Sequence, residues 1–115
     1  TISQFSFEII CTKFSNTLTR LYLSEVIGIF SLSPVSLCVH LRKLSLFKCS
    51  SLEANELRYI TALEHLQSLS ASSSLDFTKL RGSKFRDSLR TFHLPNDGKR
   101  DLTVEEMEVI SSFVQ

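Results

Sequence analysis

Tryptophan is absent, methionine occurs once, proline twice and glycine three times in 115 residues. So little glycine and proline excludes collagen-like and linker-like chains. Cys11, Cys38 and Cys49 form an odd set with no C-x-x-C pair, so neither a disulfide framework nor a zinc site is signalled. They are expected to be reduced, buried thiols in an intracellular protein, cytoplasmic or nuclear. Charge of one sign is also lacking: 13 basic and 12 acidic residues leave a net charge of +1, which argues against a generic nucleic-acid or acidic-membrane binder. Apolar runs are short and broken, far from the roughly 20 residues of a membrane span. Glu8 and Lys13 interrupt Phe5 to Phe14, so that stretch does not read as a secretory signal. A chain opening at Thr1 rather than Met is expected to be a fragment of a longer protein.

What the sequence does contain is leucine and serine, 18 and 19 residues respectively. Phe7, Ile10, Cys11 and Phe14 fall at i, i+3, i+4 and i+7, the inner face of an amphipathic helix. Leu18, Leu21 and Leu23 then follow as LxxLxL, and the period of two turns Leu21 and Leu23 inward with Arg20, Tyr22 and Ser24 outward. Ser33-Pro34 reads as the start of a short helix carrying Leu37 and Cys38. Leu41, Leu44, Leu46 and Cys49 restart the pattern, and Ser50 with Glu53 has capping-box spacing for a helix from about Leu52 to Leu63 that exposes Glu53, Asn55, Glu56 and Arg58. A third start, Leu66, Leu69 and Ala71, leads to a weaker return interrupted by Gly82. The fourth, Leu89, Phe92 and Leu94, passes the turn Pro95-Asn96-Asp97-Gly98 to a second capping box, Thr103 and Glu106, opening a helix with Met107, Ile110 and Val114 inward.

Starts at 18, 41, 66 and 89 give periods of 23, 25 and 23 residues. On these residues the chain resembles the leucine-rich repeat family, whose unit is about 20–29 residues. Cys49 in LxLxxC is similar to the cysteine-containing subtype found in F-box type ubiquitin-ligase adaptors, and FKCSSL is similar to repeats of intracellular immune receptors. The resemblance implies an α/β solenoid, a right-handed horseshoe with short parallel strands on its concave face and helices or irregular turns on its convex face. The division is then 1–17 as the helix of a preceding unit, followed by 18–40, 41–65, 66–88 and 89–115.

A solenoid of this kind implies recognition of a protein partner rather than catalysis. The expected contact set is the outward strand residues Arg20, Tyr22, Lys43, Ser45, Phe47, Ser70 and His93, with Tyr22 and Phe47 as aromatic anchors. Substrate recognition in a ubiquitin-ligase complex is the first function implied, and the sensor or autoinhibitory region of an immune or signalling receptor is the alternative. Lys79, Arg81, Lys84 and Arg86 read as a solvated basic loop surface, with Lys99-Arg100 further on. No cofactor, metal or catalytic residue is expected: a Cys–His nucleophile would pair Cys38 or Cys49 with His40, His65 or His93, but both cysteines occupy packing positions.

Overall fold

The computed structural model describes residues 2–72, 75–94 and 102–113. Four strands, β1 (Arg20–Ser24), β2 (Lys43–Phe47), β3 (Ser68–Ala71) and β4 (Thr91–His93), form one parallel sheet in chain order. Their alternation decides the facing. Leu23, Leu44, Leu46, Leu69 and Ala71 are buried, and Arg20, Tyr22, Lys43, Thr91 and His93 are exposed.

Between strands the backbone returns through short 3-10 segments at Ser33–Leu37, Ala54–Ile60 and Phe77–Leu80; α-helices occur at α1 (Gln4–Lys13) and α2 (Val104–Ser111). The apolar spacing explains this choice. Leu32, Val35, Cys38 and Leu41 recur every three residues and are fully buried, as are Leu57, Ile60, Leu63 and Leu66. A 3-10 turn holds 3.0 residues and brings i and i+3 to one face. The hydrogen bonds follow the same step, from Val35 N–H to Leu32 C=O (2.9 Å), Cys38 to Val35 (2.9 Å), Leu63 to Ile60 (3.1 Å) and Leu66 to Leu63 (3.4 Å). Helical segments stack against their chain neighbours from α1 to α2, so the core lies between this layer and the sheet.

Three buried polar side chains tie the layer together. Gln4 Oε1 accepts from Phe30 N–H (2.9 Å) and Ser31 N–H (3.1 Å), while its Nε2 donates to Ser31 C=O (3.2 Å). Glu56 Oε1 accepts from Leu32 N–H at 2.9 Å. Glu106 Oε2 accepts from Phe77 N–H at 3.0 Å, and its Oε1 closes the capping box on Thr103 N–H at 3.1 Å. Each supplies an acceptor to backbone N–H groups of a segment too short to satisfy them internally.

The resemblance to a leucine-rich repeat solenoid is corrected at this level. The molecule is a single-sheet α/β globule rather than a horseshoe. Its radius of gyration is 13.2 Å, and a closed globule of this length has about 13 Å. Its extents are 37 × 29 × 18 Å. Four strands leave three inter-strand gaps, together about 14 Å at the usual spacing, too short a span to develop an arc.

Local expectations also change. Ser50 and Glu53 form no capping box; Glu53 precedes the 3-10 segment without a side-chain cap bond. Glu56, expected outside, is only 5% exposed. Leu37, Phe14 and Met107, expected inside, are 50%, 45% and 51% exposed, while Val35, Gln4 and Val109 are buried. Ser73, Ser74, the Pro95–Gly98 turn, Lys99, Arg100 and Val114 lie outside the described residues.

Candidate functional site

Strand register sets the geometry of the open sheet face. Arg20 pairs with Lys43, and Lys43 with Ser68; Tyr22, Ser45, Ser70 and His93 form the next row; Ser24 pairs with Phe47. All seven expected contact residues therefore share this face. Lys48 Nζ sits 5.3 Å from the Phe47 ring centroid and 3.9 Å from Glu25 Oε1, closing one corner.

That face does not make the expected concave binding surface. The recognition function read from it, as a ubiquitin-ligase adaptor or as the sensor region of a receptor, is withdrawn with the solenoid.

The cysteines are equally remote from the solvent. Cys11 and Cys38 are fully buried and Cys49 is 4% exposed. Cys38 Sγ donates to Cys11 C=O at 3.8 Å. The neighbouring Cys38 side chain, with burial, holds the Cys11 proton well above the ordinary thiol range, while Cys11 lowers Cys38 against the opposing effect of burial. Burial raises Cys49, opposed by hydrogen bonding to the backbone of Val26 and Phe47. Imidazoles His40, His65 and His93 are exposed, whereas the three sulfurs are buried.

No family model, curated protein or solved structure matches this chain. Its surface chemistry must therefore be read directly, and one region is unlike the rest. Among the described residues, eight of the eleven large hydrophobic side chains that are exposed belong to α1, the residue after it, and residues 27–39. Phe5 (71%), Ile27 (69%) and Phe30 (60%) are the most open of these eight.

Local bonds bring these three positions to one end of α1. The Gln4 side chain holds the backbone of Phe30 and Ser31 beside Phe5. Gly28 lies against the Ile2–Ser3 backbone, where an added Cβ would meet Ile2 O at 2.6 Å, so Ile27 is held beside the same helix start. Along the helix, Phe7 and Cys11 face the core while Phe5 and Ile9, an i, i+4 pair, face away from it. A shallow cavity of about 330 Å³ runs along this outer face, lined by Glu8, Ile9, Thr12 and Lys13.

Pattern reading passed over Phe5, Ile9, Ile27 and Phe30 because it sought the face that packs inward. The signal was nonetheless present. A ten-residue helix with Phe5 and Ile9 opposite Phe7 and Cys11 is apolar on two sides, and one core can cover only one of them.

Proposed function

We propose that this chain is a non-catalytic binding domain that docks an amphipathic helix of a protein partner on the outer face of α1 and the adjoining Ile27 and Phe30. The observation that carries this reading is the concentration of exposed apolar side chains there. With about 150–250 Å² per aromatic and somewhat less per isoleucine, Phe5, Ile9, Ile27 and Phe30 expose roughly 400–500 Å², within the range of a monomer's largest patch. A helix is the fitting occupant because the patch follows a ten-residue helix about 15 Å long, with Glu8 and Lys13 flanking Ile9 to pair with charges beside an apolar stripe. The burial of all three thiols supports binding over covalent catalysis, and free thiols suit a reducing, intracellular compartment, the cytoplasm or nucleus. A net charge of +1 favours a protein over nucleic acid as the macromolecular partner. Among the described residues no helix is long and apolar enough to cross a membrane.

Site-specific photocross-linking in cells of its source tests the reading. A benzophenone at position 5 or 27 should trap one protein that a benzophenone at exposed position 87 does not. The purified adduct partner should then bind Phe5→Asp and Ile27→Asp variants at least tenfold more weakly. Equal trapping at position 87, trapping of this chain alone, or unchanged affinity in both variants would sink the proposal.

A further inference from the structure

A second concavity lies where the strands begin. Thr19 C=O accepts from both Arg42 N–H (2.8 Å) and Lys43 N–H (3.0 Å), which sets residues 19 and 42 side by side. In the next turn Arg42 C=O accepts from Gln67 N–H (2.7 Å) and Ser68 N–H (3.0 Å). Leu41 and Leu66 are fully buried, so His40 and His65, each one residue earlier, are turned outward in neighbouring turns. Their rings stack with centroids 6.3 Å apart and planes within 10°. Together with Asn16, Thr17, Thr19 and Arg42 they line a cavity of about 280 Å³.

Every lining side chain can donate a hydrogen bond: the guanidinium, two hydroxyls, one amide and two imidazoles. The lining contains no carboxylate. Arg20 and Lys43 extend the positive charge onto the next strand positions, and Glu64 is the acidic group adjoining His65. In a chain of net charge +1 this is a local excess. We propose that the pocket binds a small oxyanion, a phosphate ion or phosphate monoester, with the Arg42 fork and the Thr17 and Thr19 hydroxyls as ligands and the two imidazoles as its wall.

Three considerations select this ligand class. A guanidinium presents paired N–H groups that match two oxygens of a phosphate. The volume falls below the roughly 300–1,000 Å³ of sites for drug-sized ligands, so it suits a phosphoryl group rather than a nucleotide. Rings stacked nearly parallel do not aim their nitrogen lone pairs at one point, which disfavours a shared metal ion.

Amide and imidazole NMR titrations of the whole chain test the site, using inorganic phosphate and O-phosphoserine, each against chloride at matched ionic strength. Saturable shifts confined to residues 16–19, 40–42 and 65 are expected. Arg42→Gln should weaken binding at least tenfold, and the exposed control Lys79→Gln should not. Tighter inorganic phosphate assigns the site to the free ion; tighter O-phosphoserine assigns it to a phosphorylated side chain. Equal shifts with chloride, shifts spread over Lys79 and Arg86, or indifference to Arg42→Gln would overturn it.

Discussion

Replacing Glu56 by alanine should cost this domain far more than its place in a row of polar residues suggests. The carboxylate accepts from Leu32 N–H at 2.9 Å, with Glu56 5% exposed and Leu32 fully buried. Truncation forfeits a hydrogen bond to a charged group, about 1.5–3 kcal/mol, because the amide has no route to water. Loss of one buried methylene adds about 0.8 kcal/mol. The sum, about 2–4 kcal/mol, is a large share of the roughly 5–15 kcal/mol that holds a domain folded. At about 4 °C per kcal/mol for this length, the melting temperature should fall by about 10 °C. Glu56→Gln keeps an acceptor oxygen and should cost about half as much, while Glu53→Ala, at an exposed position with no cap bond, should stay within about 0.5 kcal/mol. Urea denaturation gives the stabilities, and amide hydrogen exchange at Leu32 gives the local readout, which should speed up in Glu56→Ala and not in Glu53→Ala. Equal stabilities for Glu56→Ala and Glu53→Ala, or unchanged exchange at Leu32, would refute the reasoning.

Two further outcomes follow from the same physical arguments. Cys49 has its folded pKa raised above the ordinary thiol value of 9.0, so its contribution is fully present below pH 9 and is lost as pH rises beyond that, when the unfolded thiol ionises and the folded one does not. Between pH 8 and 10 the parent protein should therefore lose up to about 1.4 kcal/mol more stability than Cys49→Ala, measured by urea denaturation at each pH; equal losses would remove the effect. Lys48 holds a φ of 52° at the end of β2, so Lys48→Gly should be neutral or stabilising by up to about 1 kcal/mol whereas the β-branched Lys48→Val should cost more than about 1 kcal/mol. A thermal melt in which valine matches glycine would show that the backbone relaxes there.

The strand positions were legible because a period of two has one solution at a half-buried sheet: Leu21 and Leu23, Leu44 and Leu46, Leu69 and Ala71 all point the same way. Thr103 and Glu106 were legible because a capping box is local, and both of its bonds form. The return segments were misread for a definite reason. A helical period of 3.6 assigns Leu37 to the interior, whereas a 3-10 period of 3.0 selects Val35 and Cys38, and no single-residue property separates the two in a five-residue stretch. Glu56 was misread because polarity alone says outward; its partner, Leu32 N–H, lies 24 residues away in another segment. The horseshoe was inferred from spacing, but spacing fixes strand register and not curvature, and four short strands fold into a globule. The outer face of α1 was missed because a search for one apolar stripe stops when it has found the stripe that packs.

The most direct test of the account compares two pairs of substitutions against the partner trapped at position 5. Calorimetric titration should show Phe5→Asp/Ile27→Asp weakening binding at least tenfold, while Tyr22→Ala/Phe47→Ala on the open sheet face changes it less than twofold. The reverse ranking would contradict the account, returning the binding surface to the sheet and leaving the face of α1 without a role.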